Sequence, residues 1–156
     1  MGLKILGIET SCDETAAGVV EDGRLLQSNI ISSQVELHSV HGGVVPEVAS
    51  RQHVRDIVPV VEKAVSECGI ALEDVDVVAV THGPGLGGSL ITGLNTAKAI
   101  SYSLDVPLMG VNHLEGHIYS SWLTQHNPAE DPGFPLLCLV ASGGHTDLLL
   151  MEDHGR

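Results

Sequence analysis

Two histidines four residues apart, in Asn112-His113-Leu114-Glu115-Gly116-His117, carry the clearest chemistry in this chain. One helical turn stacks positions i and i+4, so both imidazoles point from one face and can bind a single metal ion. The nearest general pattern is H-E-x-x-H of zinc peptidases, in which the glutamate next to the first histidine acts as general base. Here that place holds Leu114, and Glu115 lies about 200° round the helix from either imidazole. A peptidase is therefore disfavoured. Spacing alone leaves two readings of the pair, a metal site or histidines that cap and pack a helix.

Three other clusters bear on the choice. Glu9, Thr10, Ser11, Asp13 and Glu14 put carboxylates and hydroxyls at the end of a first apolar run, the place where open α/β sheets hold ligands. Such a group can hold a hydrated cation or accept a proton. Gly83-Pro84-Gly85-Leu86-Gly87-Gly88 follows a strand-like run and opens a helix, where free N–H groups favour an anion. It has no P-loop lysine, and Asp105 precedes its strand instead of ending it, so a dinucleotide site is not indicated. Anion contact and a tight turn for close packing both remain open there. Ser142-Gly143-Gly144-His145-Thr146 is a second hydroxyl-lined turn, whose glycines would admit a phosphate or carboxylate close to the backbone.

The elements that must position these groups follow from periodicity. Strands are expected at Leu3 to Glu9, Ala16 to Val20 and Leu25 to Ser32, with the acidic turn between the first two. Pro46 and Glu47 open a helix in which Val54, Ile57, Val58, Val61, Ala64 and Val65 recur at helical spacing until Gly69. Val75 to Val80 reads as a strand covered on both faces, Ser89 to Leu104 as a helix with Leu90, Leu94, Ala97 and Ile100 inward, and Pro107 to Val111 as a strand. The histidine helix is expected over His113 to Leu123. The order β-β-β-α-β-α-β-α predicts an α/β fold with a mixed sheet and helices on both faces, the ribonuclease-H-like lobe of actin-like ATPases. After a polar link from Gln125 to Gly133, Leu136 to Ala141 and Leu148 to Met151 repeat the opening strand-turn-strand. Residues 1–133 are thus expected to form one lobe and 134–156 the start of a second, in a two-lobed protein about twice this length.

Composition narrows the class. With 156 residues, 43% hydrophobic and 3% aromatic, the core must be built from Val, Ile, Leu and Ala. No run reaches the roughly 18 apolar residues of a membrane span, and the start has no signal-peptide profile, so a cytoplasmic protein without membrane contact is expected. Cys12, Cys68 and Cys138 are odd in number and widely spaced, which fits reduced thiols, with Cys68 and Cys138 in the core. A formal charge of −13 repels a nucleic-acid backbone, so any such substrate needs a local basic patch or another subunit. Arg51 and Arg55 with His53 between them form the one basic cluster, for which a solvated helix face is the simpler account.

Gly7-Ile8-Glu9-Thr10-Ser11-Cys12-Asp13-Glu14-Thr15, Gly43-Val44-Val45-Pro46-Glu47, Gly83-Pro84-Gly85-Leu86, His113-Leu114-Glu115-Gly116-His117 and Ser142-Gly143-Gly144-His145-Thr146 together resemble the bacterial TsaD family, formerly called Gcp or O-sialoglycoprotein endopeptidase. Five signatures in order cover nearly the whole chain, which corresponds to an N-terminal portion. The resemblance implies an actin-like fold and transfer of threonylcarbamoyl from threonylcarbamoyl-AMP to the N6 amine of the adenosine beside the anticodon in tRNA. It also implies that His113 and His117 ligate one divalent ion, iron before zinc, with a further aspartate ligand from the family's C-terminal region.

By the same resemblance Val140, Ala141, Ser142, Gly143 and Gly144 touch the substrate, and Asp13 and Glu14 form the acidic turn facing it. Of these two acids, Asp13 is expected before Glu14 to take the proton from the adenine amine. The family's partners are a TsaB-like paralogue, expected against the helices at 46–67 and 89–104, and a TsaE-like ATPase. The alternatives are a metal-dependent glycoprotein endopeptidase and a non-catalytic interaction module, the latter preferred for the 156-residue chain alone.

Overall fold

The computed structural model describes residues 2–123, 133–141 and 146–156. Strands β1 (Lys4–Glu9), β2 (Glu14–Glu21) and β3 (Leu25–Ser33) form an antiparallel meander. Short helix α1 (Val35–Ser39) and long helix α2 (Pro46–Glu67) follow, then β4 (Val77–Gly83), α3 (Gly87–Leu104), β5 (Leu108–Asn112) and α4 (His113–Tyr119). The five strands make one mixed sheet in the order β3-β2-β1-β4-β5, with β1, β4 and β5 parallel. This is the actin-like, ribonuclease-H-like arrangement.

Alternation decides which side of the sheet is filled. Leu6, Ile8, Ala17, Val19, Val78 and Val80 share one face and are almost fully buried beneath Ile57, Val60, Val61, Ala64 and Val65 of α2 and Ala97 of α3. Leu94 and Ile100 pack at the margin of this core as expected, whereas Val54 and Val58 turn outward. The opposite face carries Gly7, Ala16, Gly18, Val20 and Ala79, all half-buried. Helix α4 lies over one end of it, beside a cavity of about 430 Å³. Helices thus occupy both sides, but unequally.

Expected boundaries shift where local geometry intervenes. Thr15 and Glu14 join β2, which shortens the acidic turn, and α4 tightens after Tyr119 into a 3-10 turn at Ser120–Trp122. The five-residue α1 had no signal strong enough to predict it. Strands β6 (Leu136–Ala141) and β7 (Thr146–Met151) form a separate antiparallel pair. One side of that pair packs through Val140 and Met151 on Ile118 and Trp122. The expected link from Gln125 lies largely outside the described residues. Cys12, Cys68 and Cys138 are free thiols, with Cys68 and Cys138 at the edges of the two cores.

Candidate active site

Parallel β1, β4 and β5 end together, and the residues at those ends build the site. Glu9 closes β1, Thr81 stands near the end of β4, and Asn112 closes β5 with His113 immediately after it. Asn112 caps α4 by accepting from Leu114 N at 2.9 Å, so the strand passes into the helix without a loop. His113 is therefore fixed at the carboxyl edge of the sheet, where such folds bind ligands.

Glu9 takes hydrogen bonds from Ser11 N and Thr81 Oγ, and its Oε2 lies 3.2 Å from His113 Nδ1. Burial alone would raise its pKa, but the bonds from Ser11, Thr81 and His113 outweigh it and hold the carboxyl below its ordinary value. An ionised carboxylate can only accept, so His113 Nδ1 carries a hydrogen and Nε2 presents a lone pair. Ser11 Oγ, 3.1 Å from the same Nδ1, supports that orientation. His117 Nε2 sits 3.1 Å from His113 Nε2. Metal–nitrogen bonds of about 2.0–2.1 Å across that gap open an angle of about 100°, close to tetrahedral. The donor set thus fits one divalent ion, with a carboxylate behind one histidine fixing its tautomer. Among the described residues no cluster of three or more His, Cys, Asp or Glu side chains completes the coordination.

The glycine loop serves the acidic turn. Leu86 N donates to Ser11 O at 2.7 Å, and Thr10 Oγ donates to Ser89 O at 2.8 Å. A Cβ on Gly85 would lie 2.5 Å from Ser11 O, and one on Gly93 2.4 Å from Thr10 Oγ. Of the two readings of this loop, close packing is the one the contacts carry. Thr10 and Ser11 are consequently buried, and the turn is held against α3.

The expected site residues do not all meet. His113, His117, Glu9 and Ser11 come together. Val140 and Ala141 line a groove of about 530 Å³ with His117, Ile118 and Trp122, so His117 borders both cavities. Asp13 is half-buried and Glu14 exposed, and neither lines these two spaces. Ser142, Gly143 and Gly144 lie outside the described residues. The basic cluster dissolves: Arg51 pairs with Glu47 at 2.7 Å on an exposed helix face, while His53 is fully buried. Thr81 was missed; the signal was a hydroxyl ending an apolar strand, parallel to Glu9 ending another.

The sheet order and the strand ends define an actin-like α/β protein that carries a braced histidine pair at the carboxyl edge of its parallel strands. The family model for TsaD, tRNA N6-adenosine threonylcarbamoyltransferase, matches residues 25–156. This chain belongs to that family. A tRNA N6-adenosine threonylcarbamoyltransferase of Thermomicrobium roseum is 60% identical over 97% of the chain and 42% of its own length. The enzyme of the same name from Bacillus subtilis is 52% identical over 97% and 42%. The chain therefore spans less than half the length of such relatives. In fold, it is similar to YeaZ from Pseudomonas aeruginosa, with a TM-score of 0.56 and 18% identity over 96% of this chain and 68% of that one.

Proposed function

We propose that this chain supplies the metal-holding and acidic-turn portion of a longer protein that transfers threonylcarbamoyl from threonylcarbamoyl-AMP to the N6 amine of the adenosine adjacent to the tRNA anticodon. Membership of the family supports this reading, and the facing Nε2 atoms of His113 and His117 carry it. The amine attacks the carbamoyl carbon, the bond from that carbon to the phosphate oxygen breaks, AMP leaves, and the amine proton needs an acceptor. A divalent ion, iron before zinc, would when bound polarise an oxygen of the transferred group. His113 and His117 hold that ion, Glu9 and Ser11 keep His113 in the ligating tautomer, and Asp13, ahead of Glu14, takes the proton. Val140 and Ala141 with Ser142, Gly143 and Gly144 form the wall against the substrate.

Residues 1–133 constitute the first lobe and 134–156 open the second. The two-stranded sheet, hydrogen-bonded to no strand of the first, supports that division. The charge of −13 favours a partner that brings tRNA to the site. A TsaB-like paralogue fits the outward Val54 and Val58 of α2 and Ile91 of α3, each more than half exposed, and a TsaE-like ATPase joins the same assembly. No helix among the described residues is long and apolar enough to cross a membrane, consistent with cytoplasmic work on tRNA. A glycoprotein endopeptidase is not favoured: Glu115 is exposed, and the Glu9 carboxylate sits behind His113 at Nδ1 instead of beside the Nε2 pair.

The full-length protein with its partners is the material for the test. His113→Ala and Asp13→Ala should each reduce threonylcarbamoyladenosine formation in tRNA by two or more orders of magnitude. Near-normal modification by either variant would remove that residue's role.

A further inference from the structure

Buried beneath the acidic turn is a one-way chain of hydrogen bonds that the transfer chemistry does not itself use. His53 of α2 is fully buried, and its Nε2 lies 3.0 Å from the Cys12 carbonyl. A carbonyl only accepts, so Nε2 carries the hydrogen and Nδ1 must accept. Thr15 Oγ at 2.7 Å and Gln34 Nε2 at 3.4 Å face that nitrogen. The Gln34 amide nitrogen also faces Ala49 O at 3.5 Å, which fixes its amide orientation. Its Oε1 then accepts from His38 Nε2 at 3.1 Å, and His38 Nδ1 accepts from Val45 N at 3.4 Å. One carbonyl thus sets every donor and acceptor in the series. Gln34 and His38 are 2% and 3% exposed, so each broken link would leave a buried polar group unpaired.

Two neighbouring members of this network bracket one residue. His53 holds the carbonyl before Asp13, and Gln34 N donates at 2.9 Å to the carbonyl of Asp13 itself. We infer that His53 and Gln34 are positioning residues that clamp the backbone on both sides of Asp13 and thereby aim its carboxylate at the substrate amine. The inference rests on the proposed role of Asp13 as proton acceptor. Side chains held by such buried partners keep their geometry, and a misplacement near 1 Å costs about 100-fold in rate.

Kinetics of the full-length protein with its partners test this, with kcat, KM for tRNA and metal affinity measured for each variant. His53→Leu should lower kcat by about 10–100-fold while KM stays within about twofold. Metal affinity should be retained, because the bonds of His53 go to Thr15, Gln34 and the Cys12 carbonyl and not to Glu9, His113 or His117, and retained affinity reports a folded protein. His53→Gln, which offers one amide donor and one acceptor, should recover most of kcat. In an Asp13→Ala background, His53→Leu should cost nothing further. If His53→Leu does not fold, Thr15→Val takes its place, with a loss of about fivefold and the same lack of additivity. Full additivity with Asp13→Ala, or no recovery with His53→Gln, overturns the inference. Unchanged kcat in Asp13→Ala alone would instead refute the role of Asp13.

Discussion

Two hairpins of this chain have the same design and opposite fates. In β1 and β2 the cross-strand pairs Leu6 with Val19 and Ile8 with Ala17 are at most 3% exposed, because α2 and α3 lie on them. In β6 and β7 the pairs Leu137 with Leu150 and Leu139 with Leu148 are 62–67% exposed. Alternation and pairing are equal in both. What differs is cover: among the described residues the second hairpin is packed on its other side, by Ile118 and Trp122. A four-leucine face left at the surface agrees with the proposal that residues 134–156 open a second lobe.

The largest expected effect breaks that comparison residue against residue. Leu6→Ala should destabilise the chain by about 3–4 kcal/mol, the loss of a buried leucine plus the cavity it leaves. Leu139→Ala should cost less than about 0.5 kcal/mol in this chain, by urea denaturation. In the full-length protein the same Leu139→Ala should approach about 2 kcal/mol. An unchanged small value there would contradict the second-lobe proposal.

Next in size is the proposed metal site, whose histidines stand in the covered region. Glu9→Gln should weaken binding of a divalent ion to this chain by about 10–100-fold, since the carboxylate behind His113 sets its tautomer and basicity. Leu148→Ala, in the uncovered hairpin, should leave the affinity unchanged. Titration against a competing chelator reads both. Equal affinity in Glu9→Gln and the parent would mean that Glu9 does not orient the ligand.

The same contrast explains what the sequence made legible. Runs of Val, Ile and Leu bounded by Gly and Asp located β1 to β5, and the Pro46 start with the Gly69 stop located α2. The histidine pair was legible because i, i+4 spacing is local geometry. Its bracing was not: Glu9, Thr81 and His113 are 32 to 104 positions apart, and only the parallel register of β1, β4 and β5 brings them together. His53 was misjudged for the opposite reason. Its neighbours Arg51 and Arg55 are charged and exposed, yet a helix turns about 200° between positions 51 and 53, enough to send one outward and the next inward. The glycine loop left anion contact and close packing both open, and contact with Ser11 decided between them.

A smaller effect follows from the charge state of Glu9. Its carboxyl is held below the ordinary value of 4.5 in the folded protein, so the native state binds protons less readily than the unfolded chain. The resulting stability is present above about pH 4.5 and is lost as pH falls through the folded value. Urea midpoints of metal-free protein between about pH 3 and pH 6 should therefore fall more steeply for the parent than for Glu9→Gln. Parallel curves would show that Glu9 carries no such linkage.

The smallest effect lies in the acidic turn itself and separates exposure from reactivity. Cys12 is exposed, yet partial burial of its thiol and the adjacent Asp13 carboxylate, which accepts its hydrogen, push its pKa above the ordinary 9.0. Only the thiolate attacks an alkylating agent. At pH near 8, iodoacetamide should therefore label Cys12 a few-fold more slowly than it labels glutathione, despite open access. Asp13→Asn removes the charge and should speed labelling, whereas Asp147→Asn in the second hairpin should not. Were Asp13→Asn to leave the rate unchanged, the Asp13 carboxylate would not face Cys12, and the turn would hold its acid in another direction.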